Sequence, residues 1–341
     1  MMSQTHIGYT YWNHPPLNKI PATCYVQNQK TAELGFLLEY GERPTWGWLD
    51  VEADWTFSEK LLQFDPVNDQ SYYIEILNRG EEELSYSIKA KDKWIQLSSK
   101  SGTIQFEEKV YVSIDWKKAP KGYATGEIVI SGTGQEHVVK VPIRNTLPDV
   151  KGFFENNGVV SIEAIHYDKG VNTDDISWVK VPNLGRTHSS MTISPSNVES
   201  QTSGEDSPYL EYTFSIFDTM DIDVNIYLSP TQDFRKSGGL KFAIAVDHED
   251  PKIVNMNEDE LVPDWKYAQW WMQSVGDHIK IRTSEHKGIT PGPHKLKLWM
   301  VDSGVVIQKI VIDAGGLKPS YLGPPESVYV KDAKDKKINI H

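Results

Sequence analysis

Trp265, Tyr267, Trp270 and Trp271 crowd into the stretch "PDWKYAQWWMQSV". Flat aromatic rings of this kind can stack on the apolar faces of sugar rings, offering a large amphipathic surface. In an extended segment Trp265, Tyr267 and Trp271 would share one face and Trp270 would take the other. Core packing is the competing role, because an exposed cluster of this size invites aggregation unless it is used. Three further aromatics, Tyr9, Tyr11 and Trp12, stand among histidines and prolines without any period, as in a segment that docks on a neighbour. Tyr321 is the single tyrosine in "VIDAGGLKPSYLGPPES", a run rich in glycine and proline. It is read as an interface residue on a structural tether.

The remaining chemistry-bearing residues form weaker patterns. Asp221 and Asp223 sit two apart on one strand face, opposite Ile222 and Val224, which is the pattern of a solvated outer face. Asp174, Asp175 and Asp302 could lend loop oxygens to a structural Ca²⁺, but turn formation is the better account of them. His166 is a lone strand histidine, whose ordinary role is structural. The sequence contains no phosphate-binding glycine loop, no H-E-x-x-H and no G-x-S-x-G. Neither catalytic residues nor metal ligands are therefore assigned, and no cofactor is expected beyond that weak Ca²⁺ signal.

Composition bounds the class. The 341 residues carry a formal net charge of −12, which disfavours nucleic acid as a partner because phosphate neutralisation needs a Lys/Arg surface. No run reaches the 18 or so apolar residues of a spanning helix, so no membrane role is expected. The lone Cys24 excludes an internal disulfide. The opening stretch "MMSQTHIGYTYWNHPPLNKIP" lacks the basic and apolar regions of a signal peptide.

The elements that must position these residues are strands. "SYYIEILNRG", "ELSYSIKAK", "KVYVSIDW" and "GEIVISG" alternate apolar and polar residues, and Gly-containing turns separate them. "TAELGFLLEYGE" opens this set, with a tryptophan-bearing insertion after it that carries Trp46, Trp48 and Trp55. After "NTLPDVKG" the alternation returns in "LEYTFSIFD", "DIDVNIYLS", "LKFAIAVD" and "HKLKLWMVD". Short strands split by turns predict an all-β chain of two sandwiches. The expected layout is a docking segment over 1–27, an immunoglobulin-like sandwich over 28–147, a larger jelly-roll-like sandwich over 152–330 and a charged tail over 331–341.

Several of these stretches together resemble the C-terminal part of glycoside hydrolase family 115, the xylan α-1,2-glucuronidases. They are "MMSQTHIGYTYWNHPPLNKIP", "LLQFDPVNDQSYYIEILNRG", "VSIDWKKAPKGYATGEIVISG", "VVSIEAIHY" and "LKLWMVDSGVVIQKIVIDAGGLKPSYLGPPES", in that order from Met1 to Ser327. Ser303 stands where a proline would be expected, and the insertion around Trp46–Trp55 is a further departure. The resemblance implies that the catalytic carboxylates belong to an upstream barrel, so no residue here matches one of them. It also implies a secreted or periplasmic parent acting on glucuronoxylan. The first sandwich resembles, more loosely, the immunoglobulin-like modules of glycan-degrading enzymes.

The resulting expectation is a non-catalytic C-terminal region, a split or truncated product, with a scaffolding or interface role and contact with xylan. Its partners would be the missing catalytic domain, or a second copy of the chain, and a plant polysaccharide. A free-standing carbohydrate-binding protein and a polysaccharide hydrolase or esterase with its own site are the alternatives.

Overall fold

A computed structural model describes residues 29–40, 59–146, 149–260 and 269–331. The expected docking segment, with Tyr9, Tyr11 and Trp12, lies outside the described residues, as do Trp46, Trp48, Trp55, Trp265, Tyr267 and nearly all of the charged tail. The described residues cluster into two compact units, the larger taking in Leu62–Gln70, Ile114–Thr125 and everything described from Val141 onward.

Eight strands come first: β1 (Leu34–Leu38), β2 (Tyr72–Asn78), β3 (Leu84–Ala90), β4 (Ile95–Leu97), β5 (Ser101–Ile104), β6 (Glu107–Ile114), β7 (Gly122–Gly132) and β8 (Gln135–Asn145). They make two four-stranded sheets, ordered β1-β2-β6-β4 and β5-β3-β7-β8. Period-two alternation places Ile74 and Ile76, Leu84 and Ile88, Val110 and Val112, and Ile128 and Ile130 in the core. Each polar neighbour then faces away, because successive side chains on a strand point to opposite faces. The β7–β8 hairpin closes through Thr133 and Gly134, both with positive φ (49° and 76°). That backbone twist matches the right-handed twist of the flanking strands. Trp116 departs from the sequence reading, since β6 ends at Ile114 and Trp116 sits in the following turn. There its indole N–H donates to Asp69 Oδ1 at 2.9 Å.

The second set of strands comprises β9 (Gly152–Phe154), β10 (Val159–Glu163), β11 (Lys169–Val171), β12 (Ser177–Val181), β13 (Ser190–Ser194), β14 (Tyr209–Ile216) and β15 (Met220–Leu228). After them come β16 (Lys241–Val246), β17 (Lys252–Asn255), helix α1 (Gln269–Gly276), β18 (Lys280–Ile289), β19 (Gly292–Met300), β20 (Ile307–Asp313) and β21 (Tyr329–Val330). One sheet runs β12-β13-β20-β15-β18 with β10 also on β20, and the other runs β17-β16-β19-β14-β9-β21 with β11 on β14. Their inner faces share one core in which Tyr212, Phe214, Phe242, Leu298, Ile226 and Ile310 are fully buried. The chain is all-β in architecture, with two sandwiches, as the alternation predicted. Among the described residues no helix is long and apolar enough to cross a membrane.

The glycine- and proline-rich run after β20 is a strap that returns to the sheet it has just left. Asp313 Oδ1 accepts the N–H groups of Gly315, Gly316 and Leu317 at 2.8, 3.0 and 3.1 Å, turning the chain sharply. Gly316 is required by space as well, because a Cβ there would lie 1.9 Å from the carbonyl oxygen of Asn157. Leu317 then packs against Val159, Tyr227, Ile279 and Val311. Farther on, the Pro324 carbonyl accepts from Ser161 Oγ and Lys309 Nζ, both at 3.0 Å. Ser327 exchanges hydrogen bonds with Ser161, and the chain then pairs as β21 with β9 of the opposite sheet. Under the strap Lys309 Nζ and Glu163 Oε1 form an ion pair at 3.2 Å, with side chains only 3% and 7% exposed.

Candidate functional site

The described part of the aromatic cluster is helical, so the sharing of faces that an extended path would give does not apply to its last two members. Trp270 and Trp271 lie in the first turn of α1, after Gln269. Trp270 is half-buried and Trp271 is 55% exposed, with Val275 one turn further on also exposed. Consecutive residues on a helix point about 100° apart, which separates the two rings. The stretch is ambiguous in sequence, because a run this short and this aromatic has neither a clear period of two nor a clear period of 3.6.

Beside α1 lies β18, an edge strand whose core-facing positions are polar. Lys280, Arg282, Ser284 and His286 stand opposite Leu228, Ile226, Val224 and Ile222 of β15, and directly paired residues share a sheet face. The four β15 partners belong to the apolar core. The charges on β18 are met by the turn that precedes α1. Lys280 Nζ forms an ion pair with Glu260, and Arg282 Nη2 pairs with Asp259. Burial lowers the Lys280 pKa to about 8, against the opposing pull of Asp259. Its ammonium also lies 5.9 Å from the centroid of the Trp270 ring. His286 is fully buried with Nδ1 on Glu249, and burial pushes its pKa down despite that carboxylate.

Arg186, in the loop between β12 and β13, ties the end of α1 to the strap. Its Nε donates to the Asp277 carbonyl at 3.2 Å and its Nη1 donates to the Tyr321 carbonyl. The guanidinium also lies over the Tyr321 ring, 4.1 Å from its centroid, an attractive cation–π geometry. Tyr321 and Leu322 are 59% and 51% exposed. The strap is thus pinned through its backbone and Leu317, while these two side chains face solvent. One end of the second sandwich therefore presents Trp271 and Tyr321, with Arg186 joining the segments that carry them.

Arg186, Lys280, Arg282, Asp259 and Glu260 were not singled out in the sequence. A signal existed for β18: "KIRTSEH" alternates, but with Lys, Arg, Ser and His at one set of positions. None existed for Arg186, whose partners lie 91 and 135 residues away. The other candidates are in structural roles. Asp221 and Asp223 are exposed beside buried Ile222 and Val224, as expected of a solvated face. Asp302 is buried and accepts from Ser200 Oγ and the Lys241 amide. His166 Nδ1 is 2.7 Å from Glu326 Oε1 on the strap. Among the described residues no group of three or more His, Cys, Asp or Glu side chains could hold a metal ion.

The family model described as Glycosyl hydrolase family 115 C-terminal domain matches residues 152–326, just over half of the chain. No curated protein matches. Among solved structures, a family GH115 4-O-methyl-α-glucuronidase, BtGH115A, with specificity for decorated arabinogalactans, shares 16% identity over 46% of this chain, with a TM-score of 0.35. This chain spans only 18% of that enzyme. The C-terminal CBM6 of LamC, a marine laminarinase from Zobellia galactanivorans, shares 11% identity over 46% of this chain and 98% of its own, TM-score 0.30. A family 35 carbohydrate binding module from Clostridium thermocellum shares 13% identity over 45% of this chain and 98% of its own, TM-score 0.30.

Proposed function

The chain belongs to the family of the glycosyl hydrolase family 115 C-terminal domain, and from that premise we propose that it is a non-catalytic region that holds plant polysaccharide for a family 115 enzyme. The polysaccharide is xylan or glucuronoxylan, and the contact is made at the α1 end of the second sandwich. The catalytic domain of such an enzyme, or a second copy of this chain, is the protein partner that the scaffold serves.

The observation that carries this reading is the exposure of Trp271 and Tyr321 on segments fixed to one another through Arg186. Exposed aromatic rings on a rigid support can stack on sugar rings at little entropic cost, since their side chains have few rotatable bonds to freeze. Migration through a native gel containing glucuronoxylan tests the idea. The parent chain should be retarded, and Trp271→Ala and Tyr321→Ala should each restore free migration. Equal migration of all three, with and without polysaccharide, would show that this end of the sandwich holds no glycan.

A further inference from the structure

α1 and β18 carry between them a set of hydrogen-bond donors that the protein does not use. Trp270 Nε1 and Ser274 Oγ, one turn apart on the same side of α1, are buried without a partner. Arg282 Nε is in the same state, whereas Lys280 Nζ is held by the Glu260 carboxylate and has further N–H groups to donate. Indole, guanidinium and ammonium N–H groups can only donate. Buried polar groups in folded proteins nearly always have partners, so three orphans on two neighbouring elements call for an explanation. What the cluster lacks is an acceptor.

Charge narrows the choice of acceptor. Asp259 and Glu260 already balance Arg282 and Lys280 one for one. An anion entering here would meet no net positive charge and two carboxylates. A neutral molecule rich in hydroxyl and ether oxygens meets no such opposition, and its hydroxyl protons can turn toward those same carboxylates.

We propose that the seat of α1 is a subsite for a neutral sugar ring. Trp270 Nε1, Ser274 Oγ, Lys280 and Arg282 donate to its oxygens, and Asp259 and Glu260 accept from its hydroxyls. Trp271 remains outside to stack on a neighbouring ring. The proposal rests on the polysaccharide-contact reading and specifies which part of the polysaccharide is bound, the uncharged backbone. Because the donor atoms are covered, the sugar enters as α1 lifts from β18. A helix of two turns is held by its tertiary contacts rather than by its own hydrogen bonds, so such a movement is open to it.

The test is calorimetric titration of the full chain with xylohexaose, and with a xylo-oligosaccharide carrying a glucuronic acid branch, at low and high salt. Trp270→Phe keeps an aromatic ring but removes the indole N–H, Ser274→Ala removes the hydroxyl, and Trp271→Ala removes the stacking platform. Loss of one hydrogen bond should weaken xylohexaose about fivefold or more in each of the first two variants. Binding should be insensitive to salt, and the branch should add little. Thermal melts of the same variants exclude unfolding as the cause. Unchanged affinity in Trp270→Phe and Ser274→Ala, with Trp271→Ala still abolishing binding, would overturn the subsite and leave the polysaccharide reading standing. Binding that requires the acidic branch, or collapses with salt, would overturn the neutral-sugar assignment. Failure of the parent chain to bind either oligosaccharide would overturn both readings together.

Discussion

Lys309→Met removes one partner from the Glu163–Lys309 pair beneath the strap, and its consequence can be worked from the geometry. Both side chains are more than nine-tenths buried and their charged atoms are 3.2 Å apart. Glu163 also accepts from Thr187 Oγ1 at 2.5 Å, and Lys309 also donates to the Pro324 carbonyl. The substitution therefore leaves a buried carboxylate with a hydroxyl but no counter-charge, and frees one anchor of the strap. Stranding a buried charge in this way costs ~3–5 kcal/mol. For a domain of this size each kcal/mol moves Tm by about 2–4 °C, so the melt should fall by roughly 6–20 °C. The double variant Glu163→Gln/Lys309→Met discards the charge while keeping an acceptor for Thr187. It should recover most of the loss, because exchanging a whole buried pair for uncharged groups is often neutral or better. Calorimetric melts of the parent, both single variants and the double close a thermodynamic cycle. A single variant that melts within a degree or two of the parent, with additive effects in the double, would refute the argument that this pair is buried and coupled.

Three other outcomes follow from the same structure. Gly316→Ala should destabilise by more than about 1 kcal/mol because its Cβ meets the Asn157 carbonyl. Gly315→Ala, where φ is +93° but the space is open, should cost only about 1 kcal/mol, and denaturant titration separates the two. The depressed Lys280 pKa works against the folded state while the unfolded chain still holds the proton easily. Stability should therefore rise as pH climbs from about 8 toward the ordinary lysine value of 10.5, by on the order of 2–3 kcal/mol. A Lys280→Met variant should lose that rise, and a parallel slope in parent and variant would count against it. Trp271→Ala should leave Tm unchanged within about 2 °C, since substitutions at exposed positions stay within roughly 0.5 kcal/mol; a large drop would mean that the ring packs rather than binds.

Sequence alone was sufficient where burial repeats with the period of the backbone. Ile74 and Ile76, Leu84 and Ile88, and Leu296, Leu298 and Met300 are core residues because alternate positions on a strand share a face. That regularity, with the turns between runs, was enough for the all-β architecture, and the long motifs up to Ser327 were enough for the family. Helix α1 was not legible, since its eight residues present two adjacent tryptophans and no period that separates helix from strand. What only the tertiary structure decided is which distant residues meet. Arg186 reaches Asp277 and Tyr321, Glu163 meets Lys309, and Lys280 of β18 lies over the Trp270 ring of α1. Alternation specifies which side of a strand is buried, whereas the identity of the neighbour depends on the order in which strands join the sheet. The chemistry of the candidate site lies in those meetings, and so becomes visible only once the sheets are assembled.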